Sequence, residues 1–290
     1  MKLCIGVIIY NPDKIVLKRI NKYAEISDNI VLFDNSDKNN EVSQVLSSSY
    51  ENYVSKNDNQ GLSEAISYFF NKARDLQSDL LLTMDQDSDF SNDNIIKMMQ
   101  VIQKENDDNY IVYCPNYRKV YLNSNDDKVI GSPKIGINEY KAVDFSMTSG
   151  SFYKIKFLDY FYPIHNLFIG YVDHEICFNV LSNNKKIKMI GDVIFNQEVG
   201  DIVRSNIYNR LFHVVRHKDI RYQYMFRNNL FLTNRFKTNA HIKRKLRRDR
   251  VRLIINILVG EKKKLKKLNR CYKGYRDYKK QKEGKIVLEE

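Results

Sequence analysis

The chain contains the stretch DLLLTMDQDS at residues 79–88. Its apolar first part has the length and composition of a strand buried on both faces, and it stops at the polar turn DQDS. Two earlier segments repeat the pattern, because 3–9 (LCIGVII) runs into Asn11 and 29–33 (NIVLF) runs into the turn 34–36 (DNS). Ligands of parallel sheets bind outside the carboxyl ends of the strands. We therefore expect these three polar turns to gather at one edge of a sheet.

Segments with helical spacing of apolar residues separate these strands. The alternation over the first 115 residues predicts an α/β fold, with a Rossmann-like, mostly parallel central sheet flanked by helices. After about residue 115 the pattern changes to short strands or irregular connections. The predicted helices are 13–26, 42–46, 61–76, 91–103 (with Ser91 as its N-cap) and 173–181, and further strands are predicted at 52–55, 110–114 and 188–195.

Charge divides the 290 residues into two parts. The net charge is +13, yet residues 204–290 contain 27 Lys and Arg against 7 Asp and Glu, so the preceding part is acidic overall. Such a split suggests a polyanionic partner, and the alternative is a solvated basic surface with no partner. We expect residues 1–205 to form one domain, with a boundary near 115 between its halves, and 206–290 to form a basic, mainly helical extension.

Neither a membrane-spanning segment nor a disulfide framework is predicted. No window holds eighteen uncharged apolar residues, and the apolar start 3–10 is interpreted as a strand rather than a signal peptide. The four cysteines are scattered, without a CxxC pair, which is typical of buried thiols in a reducing cytoplasm.

The triplet Asp85–Gln86–Asp87 is the first candidate for chemistry. Two carboxylates one residue apart in a turn can both face a hard cation such as Mg²⁺ or Mn²⁺. A cation held there would bridge a diphosphate and neutralise a leaving phosphate. The position of the triplet after a buried strand makes it a candidate divalent-cation site.

The first 230 residues resemble the family 2 inverting glycosyltransferases of the GT-A fold, and most of all the bacterial rhamnosyltransferase-type branch. The resemblance rests on seven stretches that occur in the family's order. They are 7–12 (VIIYNP), 31–36 (VLFDNS), 57–65 (NDNQGLSEA), 82–88 (LTMDQDS), 149–151 (SGS), 168–175 (FIGYVDHE) and 221–228 (RYQYMFRN).

The resemblance implies a role for each matching residue. Asp34 would contact the nucleotide base, Asp87 would ligate the metal, and Asp173 would be the general base for the acceptor hydroxyl, with Glu175 next in line. The implied donor site comprises Asn11, Asp34, Asn35, Asn59, Gly61, Asp85, Gln86 and Arg227. The implied metal site comprises Asp87, Asp85 and Gln197, and the implied acceptor region comprises Ser149, Gly150 and Glu175. Physical reasoning agrees for Asn59 and Gly61, which precede a predicted helix whose N-terminus offers free N–H groups to an anion.

Each of these roles has a structural alternative. Asp34 could serve only as a turn residue at a strand end, and Asp173 could cap the helix 173–181. Arg227 could anchor a helix instead of contacting phosphate. His165 and His174 are not assigned catalytic roles.

The chain departs from the family at the metal site. Many relatives have a His before a short Gly-acidic turn, and the matching position here is Gln197, in the stretch 196–201 (NQEVGD). A Gln carbonyl oxygen is acceptable to Mg²⁺ but is a poorer ligand for a transition metal. Either the metal is held more weakly, or Glu198 or His213 substitutes.

The basic extension has an amphipathic pattern. The basic run 241–252 leads into the apolar run 253–259, and Leu265, Leu268 and three tyrosines follow at helical spacing. Such a region is typical of helices that lie on anionic membranes, to which each basic residue contributes about 1 kcal/mol. The apolar run could instead form a homodimer contact or dock onto the catalytic domain.

We therefore predict a cytoplasmic glycosyltransferase, peripheral on the inner face of a bacterial plasma membrane. By resemblance it would transfer L-rhamnose from dTDP-L-rhamnose to a lipid-linked saccharide, with UDP-hexose or UDP-galactofuranose as alternative donors. A different class is a non-catalytic polyanion-binding protein acting through the basic extension. We expect no nucleic-acid partner, because the acidic sheet edge would repel one and no nucleic-acid motif occurs. A third reading is an inactive relative that binds a partner.

Overall fold

The computed structural model describes residues 1–105, 107–122, 128–198 and 217–287. Within them, nine strands form one mixed sheet in the order β3-β2-β1-β4-β8-β5-β9-β7, with β6 paired to β5. The strands are β1 Leu3–Ile9, β2 Asn29–Asp34, β3 Asn52–Ser55, β4 Leu80–Asp85, β5 Tyr110–Leu122, β6 Lys128–Pro133, β7 Tyr140–Val143, β8 Ser151–Lys154 and β9 Lys186–Glu198. The helices are α1 Lys14–Ala24, α2 Glu41–Ser49, α3 Leu62–Asp75, α4 Asn92–Glu105, a 3₁₀-helix Ile155–Phe161, α5 Val172–Ser182, α6 Asp219–Arg235, α7 Ala240–Gly260 and α8 Lys264–Lys279.

The four strands β1 to β4 are parallel, as the sequence predicts. The apolar runs of β1, β2 and β4 are buried because helices cover the sheet, while β3 is half-buried. The register pairs Ile9 with Asp34 and Ile8 with Asp85. The polar turns after β2 and β4 therefore flank the carboxyl end of β1 on one edge of the sheet. The prediction that the polar turns share one edge is confirmed.

The second half of the sheet differs from simple α/β alternation. Strand β8 lies between β4 and β5 and is antiparallel to both, while β5 and β9 run parallel to each other over 13 residues each. The sequence predicts Ser151 as the end of a polar turn, but the segment SFYK that it begins is completely buried. The predicted strands 110–114 and 188–195 are parts of these long strands. The mostly parallel α/β architecture is nevertheless confirmed.

Helix packing follows the amphipathic patterns. In α3 the apolar positions Ala65, Ile66, Phe69 and Phe70 are buried, and burial of one such phenylalanine stabilises the fold by about 1.5–3 kcal/mol. Phe69 lies against Gly6 of β1, where a Cβ atom would come within 2.5 Å of its ring. Ser91 caps α4 as predicted, because its Oγ accepts a hydrogen bond from the Asn94 N–H at 3.3 Å.

The C-terminal extension is helical, as predicted, and packs on the rest of the chain. Leu232 on α6 and Leu246 on α7 belong to the main hydrophobic core, while Leu253 and Ile257 on α7 pack with α6 and α8 in a smaller cluster. None of the helices in the described ranges is long and apolar enough to cross a membrane. The predicted domain boundary at 205 lies outside the described residues, so it stays a prediction.

Candidate active site

Three carboxylates meet at the carboxyl edge of the parallel strands. Asp85 ends β4, Asp87 follows it in the turn, and Asp173 lies in the first turn of α5. Burial first, and then the negative charges of Asp87 and Asp173, together raise the pKa of Asp85 from 3.8 to about 7. The structure therefore brings the DQD triplet and the predicted general base into one electrostatic environment.

The pKa of Asp173 is shifted in the opposite direction from that of Asp85. A quarter of its side chain, 25%, is exposed, and its Oδ1 accepts the His174 backbone N–H at 2.9 Å and lies 3.1 Å from His174 Nδ1. Burial alone would raise the pKa of Asp173, but the charge and hydrogen bonds of His174 outweigh it and hold this pKa below its usual value. Near neutral pH Asp173 is therefore ionised, whereas Asp85 is only partly ionised.

The capping alternative for Asp173 is wrong. The residue that precedes the helix is Tyr171, which has a left-handed backbone (φ 71°) and forms no side-chain cap hydrogen bond. Asp173 lies inside the first turn, and its carboxylate bonds to His174 instead of to a later N–H group of the helix. Its side chain is consequently not needed to begin α5.

The predicted acceptor residues Ser149 and Gly150 lie directly against the DQD turn. Ser149 Oγ accepts the Asp85 N–H at 3.1 Å and donates to Ser88 Oγ at 2.9 Å, and the Gly150 N–H donates to the Thr83 carbonyl at 2.8 Å. Gly150 has a φ of 82°, a conformation that favours glycine. This turn fixes the backbone of Asp85.

Gln86 holds two strand ends together. Its Oε1 accepts the Tyr10 N–H at 2.8 Å and its Nε2 donates to the Tyr10 carbonyl at 2.9 Å, so the side chain extends the β1–β4 pairing. The Arg19 guanidinium donates to the Gln86 carbonyl. The amide of Gln86 is thus occupied in positioning the turn, and its predicted donor contact stays a prediction.

The predicted donor residues of the first two turns form one hydrogen-bonded group. Asn35 Nδ2 donates to the Gly61 carbonyl at 3.3 Å and its Oδ1 accepts the Gln60 N–H at 3.0 Å, while Asn59 Oδ1 accepts the Gly61 N–H at 2.9 Å. Asn11 is exposed, has a φ of 47°, and donates its N–H to Ser36 Oγ at 2.6 Å. The loop that precedes α3 is therefore tied to the end of β2.

Asp34 has the contacts of a turn residue. It is 0% exposed, and its carboxylate accepts the Ser36 N–H at 2.8 Å, the Ser43 hydroxyl at 2.8 Å and the Tyr53 hydroxyl at 2.7 Å. A carboxylate with these three donors has little remaining capacity for a nucleotide base. This placement favours the structural alternative, and base contact stays a prediction.

The N-terminus of α3 is partly occupied by the protein itself. The Leu62 N–H donates to the Phe168 carbonyl at 2.6 Å, and a Cβ atom on Gly61 would lie 2.5 Å from that same oxygen. The expectation of wholly free N–H groups is thus not met at the first helical residue. The close approach instead joins the predicted donor loop to the segment 166–171 that leads to Asp173.

Glu175 forms a buried ionic cluster that the sequence does not reveal. Its carboxylate is 0% exposed and contacts the His165 N–H at 2.9 Å, His165 Nδ1 at 2.8 Å and the Arg235 guanidinium. These bonds give Glu175 no exposed surface toward an acceptor and make it an anchor for the segment before α5. Arg235 is 60 residues away in the sequence, so no local pattern identifies it.

Arg227 also has anchoring contacts. Its side chain is 1% exposed, and its Nη2 donates to the carbonyls of Leu167 at 3.2 Å and Gly284 at 3.0 Å. Asn228 on the same helix donates to Leu167, Ile169 and Gly170 carbonyls at 2.9–3.0 Å. These contacts favour the helix-anchoring alternative for Arg227, and phosphate contact stays a prediction.

The donor chemistry at the strand edge fits a hard divalent cation. Asp85 and Asp87 offer carboxylate oxygens, and a bound cation would relieve the repulsion that raises the pKa of Asp85. Among the residues whose side chains are described, no group of three His, Cys, Asp or Glu has a metal-binding arrangement. The backbones of Gln197 and Glu198 lie in β9, but the structure does not describe their side chains. His213 lies outside the described residues.

One family model and one solved structure agree with this fold. The family model "Glycosyl transferase family 2" matches residues 4–165. A crystal structure of GalNAc-T7 with UDP, GalNAc and Mn²⁺ is 12% identical with a TM-score of 0.53, and the match covers 68% of this chain and 44% of that one. A crystal structure of A197 from STIV is also 12% identical, with a TM-score of 0.40 over 66% of this chain and 83% of that one. No curated protein matches the chain.

Proposed function

The chain belongs to glycosyl transferase family 2, and from this premise we propose that it transfers a sugar from a nucleotide diphosphate donor to a hydroxyl of an acceptor. The observation that carries the proposal is the shared electrostatic environment of Asp85, Asp87 and Asp173. Carboxylates crowded at the carboxyl edge of a parallel sheet repel one another, and this repulsion destabilises the fold. A divalent cation that carries a phosphate ester would neutralise them.

Asp173 acts as the general base in this proposal. As the acceptor oxygen attacks the anomeric carbon, the hydroxyl proton passes to the Asp173 carboxylate and the bond from the anomeric carbon to the diphosphate oxygen breaks. The nucleoside diphosphate leaves with the bonding electrons, and a single in-line displacement inverts the anomeric centre. His174 supports this role because its hydrogen bonds keep Asp173 ionised before the proton arrives.

Asp85 and Asp87 would hold Mg²⁺ or Mn²⁺, with Gln197 as the proposed further ligand. A divalent cation held by these residues would neutralise the negative charge on the leaving diphosphate. The protein's own contribution is to fix Asp85 through the Ser149 hydrogen bond at 3.1 Å and to hold the turn through the Gln86 amide. The nucleotide would lie along the turns that contain Asn11, Asn35 and Asn59.

The finer assignments follow the sequence resemblance. We propose dTDP-L-rhamnose as the donor, with UDP-hexose and UDP-galactofuranose as the competing donors, and a lipid-linked saccharide as the acceptor. The chain would meet that acceptor at the cytoplasmic face of a bacterial membrane. Support comes from α7, on which Val251, Ile255 and Leu258 are exposed at helical spacing by 58%, 41% and 47% among basic residues.

Thermal shift with nucleotides tests the proposal. We expect dTDP or UDP with Mn²⁺ to stabilise the protein by about 2.7 kcal/mol at a hundredfold excess over Kd, and Asp87→Ala to remove the metal-dependent part. Asp75→Ala, which removes an exposed carboxylate from the end of α3, is the matched control and should leave the shift unchanged. No shift with any nucleotide, together with binding of a soluble polyanion that the basic extension mediates, would favour the non-catalytic polyanion-binding alternative.

A further inference from the structure

A second recessed site lies in the C-terminal extension. A cavity of about 820 Å³ that is open to solvent is lined by α6, α8 and the segment 280–287. Seven of its lining residues are cationic, against two carboxylates, Asp277 and Glu283. Besides Arg227, the cationic residues are Arg270, Lys273, Arg276, Lys280, Lys282 and Lys285.

Most of these cations have no anionic partner. Among the residues that the structure describes, Lys273, Arg276, Lys280 and Lys282 form no ion pair, while Lys285 pairs with Asp58. One carboxylate, Asp277, accepts a hydrogen bond from Gln223 Nε2 at 2.7 Å. Like charges that converge on a concave surface create a positive potential, which attracts an anion with several oxygen acceptors.

The lining also indicates what kind of anion fits. No described residue of the lining is aromatic, so the cavity offers no stacking surface for a nucleobase. Its two apolar residues, Ile286 and Val287, lie next to each other in the C-terminal segment. A phosphate group attached to a hydrocarbon matches this combination better than a nucleotide does.

The cavity adjoins the segments that frame the candidate active site. The Gly284 N–H donates to the Asn166 carbonyl at 2.6 Å, and Asn166 begins the segment that leads into α5 and Asp173. The Lys285–Asp58 ion pair connects the same wall to the loop before α3. A ligand in the cavity would therefore lie beside both the predicted donor loop and the segment that positions the base.

We propose that this cavity binds a diphosphate ester, and that in the working enzyme the ester is the diphosphate of the lipid-linked acceptor. This inference rests on the proposed function and adds to it the site that holds the non-reacting end of the acceptor. The site is separate from the carboxylates of Asp85 and Asp87, which repel a free diphosphate.

The test compares two triple variants of the full chain that lose the same charge. Lys273→Ala/Arg276→Ala/Lys280→Ala empties the cavity of three cations, while Lys262→Ala/Lys263→Ala/Lys264→Ala removes three exposed cations where α8 begins. Calorimetric titrations use farnesyl diphosphate and inorganic pyrophosphate in buffer with EDTA, and vesicles of phosphatidylglycerol as a third probe. We expect the cavity variant to weaken farnesyl diphosphate binding at least tenfold and the control to change it less than twofold.

The outcomes separate this inference from the proposed function. Tighter binding of farnesyl diphosphate than of pyrophosphate supports a lipid-linked source, and equal binding supports a free diphosphate in the same cavity. Equal weakening in both variants, or binding to the vesicles alone, overturns the inference in favour of a diffuse basic surface. The part of UDP and dTDP binding that depends on Mn²⁺ should be the same in both variants, and its absence from the wild type would count against the proposed function instead.

Discussion

The acidic strand edge and the basic C-terminal cavity hold their charges in different ways. At the strand edge the backbone forces carboxylates together, so the pKa of Asp85 rises to about 7 through burial and the charges of Asp87 and Asp173. In the cavity the charges are carried by long, exposed side chains such as Lys273 and Arg276, which can turn toward water. Repulsion between carboxylates is built into the strand edge, whereas solvent relieves the repulsion between the cations of the cavity. The edge is therefore the place where loss of a single charge should have the largest consequences.

The largest effect is expected from Asp173→Asn. The amide keeps the shape of the side chain but cannot accept the acceptor proton, so kcat should fall by about 10²–10⁴. Nucleotide binding measured in EDTA should change less than twofold, because the side chain contacts neither Asn35 nor Asn59 in the structure. Transfer assays with purified acceptor, alongside nucleotide titration, measure both quantities. A kcat within threefold of the wild type would show that another group is the base.

Glu175 is a buried carboxylate with a cationic partner, so loss of that partner should lower the free energy of unfolding. Arg235→Gln leaves Glu175 buried without its cation, and removal of one partner from a buried ion pair destabilises a protein by about 3–5 kcal/mol. Because His165 still contacts Glu175, we expect roughly 2–3 kcal/mol, measured by urea unfolding. Arg74→Gln removes a surface partner of Asp75 and should cost no more than about 0.5 kcal/mol. Equal losses of stability in the two variants would contradict stabilisation by the buried pair of Glu175 and Arg235.

Asp85→Asn should abolish transfer activity but stabilise the metal-free protein. The folded-state pKa of Asp85 is above its ordinary value of 3.8, so the native state binds more protons than the unfolded state between about pH 4 and pH 7. Stability of the metal-free protein should therefore fall as the pH rises through this window. The Asn variant removes that dependence and should be roughly 1–2 kcal/mol more stable at pH 8, with transfer activity lost. Thermal unfolding at pH 5 and pH 8 in EDTA measures the direction of this stability change. A variant less stable than the wild type at pH 8 would contradict the repulsion between the three carboxylates.

The smallest effect is expected at the exposed apolar residues of α7. Ile255→Ser and Leu258→Ser together remove apolar surface from the proposed membrane face without disturbing the buried Leu253 and Ile257. Vesicle binding should weaken about tenfold at 0.5 M salt and less at low salt, where the basic residues dominate. Sedimentation with phosphatidylglycerol vesicles measures this, and Ile15→Ser, at an exposed position on α1, is the control. Unchanged sedimentation of the double variant would remove α7 from the membrane proposal.

The sequence predicts the first half of the fold because its signals are local. Each buried run of β1, β2 and β4 ends in its polar turn, and the spacing of Phe69 and Phe70 defines the buried face of α3. It does not predict that β8 separates β4 from β5, because strand order depends on pairing between distant segments. Periodicity within Ser151–Lys154 contains no information about which neighbours it meets.

The candidate site could be predicted in part for the same reason. The position of Asp85 and Asp87 follows from the end of one strand, whereas their proximity to Asp173 depends on how α5 packs. The full burial of Asp34 and the anchoring of Glu175 by Arg235 arise from tertiary partners that no motif contains. The basic cavity likewise needs α6 and α8 to come together before its charges converge.

Proton release on cation binding tests whether Asp85 and Asp87 hold a divalent cation. Calorimetric titration of Mn²⁺ in buffers of different ionisation enthalpy gives the number of protons displaced at pH 6 and at pH 8.5. Because the pKa of Asp85 is about 7, the wild type should release close to one proton at pH 6 and almost none at pH 8.5, and Asp85→Asn should release none at either pH. Release that is the same in the wild type and Asp85→Asn, or no Mn²⁺ binding at either pH, would contradict a cation site at the crowded carboxylates.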